Sequence, residues 1–213
     1  MMYLMRTKIP SFLTFKHLLF ICALLPFLLM VRDIVIDNLG ANPVETLLSR
    51  SGLWALRFLL ITLSISPLRL IAKHTPVMKY RRMLSLFCFF YATVHLLVFV
   101  GLEHDLVWGF IVEAIYTSPA ADIGLLVYLI LVPLAFTSTD NMMRKLGKRW
   151  KRLHNMVHIA ALLSILHFLL SEKADITTPL VYALILLFLQ LIRFIVRRRK
   201  QDALLKRLKL QHD

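Results

Sequence analysis

Four histidines stand inside apolar stretches of this 213-residue chain, and imidazole is an expensive group to place there. Three of them, His154, His158 and His167, fall within Gly147 to Leu170, where everything from Leu153 onward is apolar except these rings, Asn155 and Ser164. The fourth, His95, interrupts another apolar run. An imidazole nitrogen can bind a metal, and the ring titrates near neutral pH, so holding iron and relaying protons are both open chemistries. The bland alternative is polar glue, with the rings hydrogen-bonding between helices at modest energy.

Helix rise separates the four. At 1.5 Å per residue, His95 lies about 17 Å along a span starting near Leu84, and His167 about 21 Å along one starting near Leu153. Both spans run in the same direction, so the two rings share a depth. Imidazoles at one depth on two helices suit the two faces of a flat porphyrin. His154 and His158 lie only about 2 and 8 Å in, four residues apart on one helix face. They can ligate a second heme, or bind a flavin or quinone head group and handle its protons. The third span offers only Arg82 and Ser85 at that level, which counts against a second heme; His74 in the adjoining loop is the spare candidate. His17, His104 and His212 sit at span ends or in polar segments and read as solvated.

Arg57 lies a few residues into the second span, near the depth of His167. A guanidinium there is a natural partner for a heme propionate, or else it snorkels to the surface. Arg69, Lys73, Arg81 and Arg149 suit a flavin phosphate, although membrane topology alone puts basic residues in such places.

The elements that must position these side chains are membrane spans. The chain is 59% hydrophobic and its mean hydropathy is +0.72, far from the composition of a soluble domain. Six stretches are long enough to cross a bilayer, at residues 12–31, 53–71, 84–102, 120–136, 153–170 and 180–196. The expected fold is therefore an all-α membrane protein, a six-transmembrane helical bundle. No cleavage site follows the first apolar run, so the first span reads as retained. Pro26, Pro67 and Pro133 are tolerated kink points. Gly40, Asn42 and Pro43 predict a turn, with Asn42 capping a short interfacial helix. Asp105 to Ser118, with Trp108 and Tyr116, predicts a segment at the membrane surface.

The net charge of +14 falls in clusters between the spans rather than on one nucleic-acid-binding face. Arg69 to Arg82, Arg144 to Arg152 and Arg193 to Lys209 share one side with Arg6, Lys8 and Lys16. Most acidic residues, Asp33, Glu45, Glu103 and Glu172 among them, fall opposite. The positive-inside rule then puts both termini in the cytoplasm. The basic tail, 197–213, reads as a cytoplasmic surface anchor. Two cysteines, Cys22 and Cys88, both within apolar runs, support neither a disulfide framework nor a cysteine metal site.

Several segments carry a family resemblance: LLPF at Leu24 to Phe27, LGANPVE at Leu39 to Glu45, ALRFLLITLSISPLR at Ala55 to Arg69, RRMLSLFCFFYATVHLLVF at Arg81 to Phe99, LAFTSTD at Leu134 to Asp140, and RKLGKRWKRLH at Arg144 to His154. The chain resembles the MsrQ (YedZ) family, ferric-reductase-like membrane subunits related to the membrane part of NADPH oxidases. The resemblance covers nearly the whole chain and implies one ferric-reductase-like transmembrane domain over residues 1–213. It implies an electron-transfer subunit rather than a catalytic one, binding heme b, with FMN also attributed to it, in the bacterial inner membrane. Electrons would come from the quinone pool or a cytosolic flavin reductase. They would pass to MsrP, a periplasmic molybdenum-cofactor enzyme that reduces methionine sulfoxide in oxidised proteins. The family's heme histidines fall on His95 and His167, and a third on His154; the oxidases' second histidine of the third span has no counterpart here.

Two other function classes fit the residues alone. One is a transporter or channel with a histidine relay, disfavoured by the lack of intramembrane carboxylates. The other is an assembly scaffold whose histidines only pack.

Overall fold

A computed structural model describes residues 11–71, 79–172 and 175–209. Nine α-helices run through them: α1 (Ser11–Val35), α2 (Pro43–Ile71), α3 (Arg81–Val98), α4 (Trp108–Thr117), α5 (Pro119–Phe136), α6 (Asp140–Leu146), α7 (Lys148–His154), α8 (Val157–Ser171) and α9 (Thr177–Lys209). A π-helical turn, Phe99–Glu103, prolongs α3. Among the described residues there is no strand.

Six stretches are long and apolar enough to cross a membrane: Phe15–Val35, Pro43–Leu68, Arg81–Glu103, Pro119–Phe136, Lys148–Ser171 and Thr177–Arg199. Their outward faces leave Leu18, Ile21, Leu184, Leu187 and Phe188 exposed, as a bundle dissolved in hydrocarbon requires. The molecule is an all-α, six-span membrane protein. One end of the bundle carries Arg81, Arg82, α6, α7 and Arg193 to Arg199 and is called the basic end below. His74, Lys73, Lys173 and His212 lie outside the described residues.

Packing runs in two close pairs, α2 against α3 and α5 against α8, with α9 lying along α2 and α8. Aromatic rings fill the first pair: Phe58 stacks on Tyr91 at 5.4 Å and on Phe87 at 5.6 Å. Small residues serve the second, where Ala160 and Ala161 are wholly buried and let the backbones close up. By contrast α3 and α8 hardly approach through their backbones, leaving their side chains to meet between the two pairs.

Three expectations need adjusting. No separate interfacial helix starts at Asn42, because α2 runs unbroken from Pro43 into the second span. Asn42 Nδ2 donates to Glu45 Oε2 at 2.7 Å, and Thr46 Oγ1 donates to Leu39 O at 2.9 Å, which ties the turn to the helix. Asp33 is not a loop residue but lies inside α1, 5% exposed, bridged to Arg32 at 2.7 Å and to Arg50 of α2 at 2.6 Å. A carboxylate does therefore stand within a candidate span, neutralised by two guanidiniums. The basic tail, finally, continues the helix of the sixth span as far as Lys209.

Candidate cofactor-binding site

His95 on α3 and His167 on α8 meet edge to face, with ring centroids 5.9 Å apart. Each ring is held from behind. His95 Nδ1 lies 3.0 Å from Leu48 O, and His167 Nδ1 lies 2.7 Å from Ala120 O. A carbonyl only accepts, so the proton of each ring sits on Nδ1 and the lone pair on Nε2. Neither Nε2 has a hydrogen-bond partner among the described residues. Imidazoles that bind metals are oriented in this way, by a hydrogen bond on the nitrogen that does not ligate.

The two carbonyls are reachable for the same local reason. Gly52 follows Leu48 by four residues, and Gly124 follows Ala120 by four. A helical side chain leans over the preceding turn, so a β-carbon at either position would cover the carbonyl. At Gly52 it would stand 3.2 Å from His95 Nδ1, and at Gly124 it would stand 2.8 Å from His167 Cε1. Both glycines therefore make room for an imidazole. Wholly buried Ser51 adds its Oγ 3.3 Å from His95 Nδ1 while donating to Leu47 O at 2.6 Å.

Ligand bonds from imidazole to a first-row metal are about 2 Å, which puts the centroids of two rings sharing one ion about 6 Å apart. The observed 5.9 Å meets that. Among the described residues no three His, Cys, Asp or Glu side chains converge on one point. Two donors alone suit an ion whose other positions are filled by a macrocycle.

The basic-end histidines diverge. The fifth span breaks at Asn155 and Met156, so His154 ends α7 and His158 lies in the first turn of α8. His154 stacks on Trp150 at 4.0 Å, and its Nε2 lies 3.1 Å from Thr137 Oγ1 of the α5 C-terminus. Trp150 Nε1 donates to Thr137 O, which fixes that corner. His158 turns the other way, its Nδ1 2.9 Å from Gln190 Nε2 on α9, and its Nε2 is buried without a partner. The expectation of one shared face gives way to two rings with separate partners.

Arg57 neither snorkels freely nor meets a carboxylate among the described residues. Its Nε donates to Tyr182 Oη at 2.8 Å, and its guanidinium lies 4.7 Å from the Trp54 ring centroid. His104, expected to be solvated, instead closes the π-helical turn, with Nδ1 2.9 Å from Phe99 O. His17 is exposed. Arg81 is partly buried at the start of α3, and Arg149 lies on α7. Both cysteines are free.

Spacing of histidines did not reveal Gly52, Gly124, Ser51 or the two carbonyls. A signal was present, since glycine inside a span costs helix stability and asks for a packing reason.

A family model described as "Ferric reductase like transmembrane component" matches residues 51–165, more than half of the chain; the match includes His95 and ends two residues before His167. That is the class of membrane protein this bundle defines. Among curated relatives, the "Protein-methionine-sulfoxide reductase heme-binding subunit MsrQ" of Rhodospirillum rubrum is 43% identical over 184 residues, 85% of this chain and 88% of the relative. Proteins of the same name from Xanthomonas euvesicatoria and Xanthomonas oryzae are each 47% identical over 150 residues, 70% of this chain and 69% of theirs. The chain belongs to the MsrQ family of ferric-reductase-like membrane subunits. No solved structure matches it.

Proposed function

We propose that this protein is the heme-binding electron-transfer subunit of a methionine sulfoxide reductase system. The observation that carries the proposal is the facing pair His95 and His167, each with Nδ1 committed to a backbone carbonyl and Nε2 left for a metal. A b-type heme held there supplies one-electron redox chemistry. The protein's own part is to fix both rings, through Leu48 O and Ala120 O, and to keep water off them. Heme-binding is what the names of the Rhodospirillum and Xanthomonas relatives state, which supports the same reading.

The finer parts of the proposal rest on the family resemblance and on the charge pattern. The basic end is cytoplasmic, and the membrane is the bacterial inner membrane. Electrons enter from the quinone pool or a cytosolic flavin reductase, with FMN as a second cofactor. They leave for MsrP, the periplasmic molybdenum-cofactor reductase. In this reading Arg57 donates to a propionate from the guanidinium nitrogens that Tyr182 leaves free, and His154 serves a second cofactor at the basic end, with His158 a separate candidate. The whole chain acts as one domain.

The test is an absorption spectrum of the purified protein. A Soret band that shifts on reduction is expected, greatly weakened in His95→Ala and His167→Ala and retained in His158→Ala. A folded, colourless preparation would sink the proposal.

A further inference from the structure

The planes of the His95 and His167 rings cross at 83°. A right angle is the most that two planes can make, so these imidazoles stand almost as far from parallel as rings can. Each ring is steered from the partner of its own helix. His95 of α3 is held by Leu48 O of α2, and His167 of α8 by Ala120 O of α5. These are the two close pairs of the bundle, so the way one pair lies against the other sets the crossing.

A ring bound to a metal through Nε2 turns about that bond at little cost. Nδ1 lies off the axis, and its hydrogen bond stops the turning. His95 is stopped twice. Its Nδ1 proton falls between Leu48 O at 3.0 Å and Ser51 Oγ at 3.3 Å. Ser51 is wholly buried and gives its own proton to Leu47 O at 2.6 Å, which leaves a lone pair for the ring. His167 has one shorter bond, 2.7 Å, over the bare backbone of Gly124.

The consequence is electronic. Each axial imidazole raises the iron d orbital that overlaps its π system. Parallel rings raise the same orbital, so the ferric hole settles there and the oxidised state gains. Crossed rings raise two orbitals about equally and forgo that gain, which favours the reduced state. Axial ligands and the hydrogen bonds behind them are levers on heme potential. We propose that the bundle holds these rings crossed and thereby raises the potential of the iron between them, with Ser51 as the positioning residue for the His95 plane. This tuning rests on heme binding at the pair, as proposed above.

Low-temperature electron paramagnetic resonance of the full-length, heme-loaded ferric protein in nanodiscs reads the angle. Crossed rings give one strongly anisotropic low-field line, and parallel rings give three resolved lines. The first is expected, in the signal that His95→Ala removes. Loosening a ring from 83° mostly lowers the angle. Ser51→Ala is therefore expected to shift the line toward the three-line form and to lower the midpoint potential. Ser164→Ala, whose parent hydroxyl bonds Ala160 O, should change neither. A three-line parent spectrum overturns the tuning and leaves heme binding standing, and it decides the matter even if Ser51→Ala fails to fold. A Ser51→Ala protein with the parent's line and potential overturns the assignment of Ser51. A colourless parent overturns both the tuning and the heme reading beneath it.

Discussion

A β-carbon at position 124 would stand 2.8 Å from Cε1 of His167, closer than side chains pack. Gly124 is thus the floor on which that imidazole rests, and its missing side chain also opens Ala120 O to the ring. Gly52 serves His95 and Leu48 O in the same way on the other side of the pair. One glycine and one carbonyl, a helical turn apart, orient each ring from a helix that carries no histidine of the pair.

Gly124→Ala is expected to weaken heme retention more than Gly52→Ala does. The first forces the anchored His167 ring to move, while the second asks His95 to yield a few tenths of an ångström at 3.2 Å. Loss of outer-shell orientation usually costs about 10- to 100-fold in metal affinity. Heme transfer to apomyoglobin would measure it, and equal rates for both variants and the parent would refute the seating role.

Tyr91 is fully buried, and its Oη donates to Ala23 O at 2.8 Å while accepting from Phe27 N at 3.0 Å. An uninterrupted helix would pair those two backbone groups with each other, but Pro26 loosens α1 at this point. The hydroxyl of α3 spans the opening and fastens α1 to the bundle. Tyr91→Phe keeps the stack on Phe58 and removes that bridge. A loss of about 1–3 kcal/mol is expected, read as a lower melting temperature with the Soret band unchanged.

The six spans were legible because hydrocarbon enforces length and apolarity on any helix that crosses it. The His95–His167 meeting was legible too, since rise per residue fixes depth for two spans running the same way. Rotation of a helix about its axis is not so fixed. His154 and His158, four apart, looked like one face, yet the turn at Asn155 and Met156 sends one to Thr137 and the other to Gln190. Asp33 and Arg50 misled for a related reason. A charge pair 17 positions apart neutralises itself only once α1 and α2 are packed, so each charge taken singly argued for a loop.

Asp175 caps α9, accepting from Thr177 N at 2.9 Å and from Thr178 Oγ1 at 3.1 Å. Those bonds favour the carboxylate and hold its pKa below the usual 3.8. A depressed pKa means that the stabilisation is in full force above the unfolded value and is lost as pH falls through the folded one. The first turn of α9 is therefore expected to fray below about pH 3.8, and Asp175→Ala to fray it at pH 7. Hydrogen exchange of the Thr177, Thr178 and Leu180 amides would detect both, and unchanged protection in the variant would count against the cap.

Arg57 is where tethering and electrostatics can be separated. Its Nε bond to Tyr182 joins α2 to α9, and its position over Trp54 adds a cation–π contact. Tyr182→Phe removes the tether and keeps the charge, so it should lower stability by about 1 kcal/mol and leave the heme potential alone. Arg57→Gln removes the charge. A cation near the propionates favours the reduced heme, and at an effective dielectric of about 20 its loss is worth about 1–2 kcal/mol. The midpoint potential should then fall by roughly 40–90 mV, at 59 mV per tenfold for one electron. Redox titration of the two variants would show the contrast. An Arg57→Gln potential matching the parent would leave Arg57 only its structural role between α2 and α9.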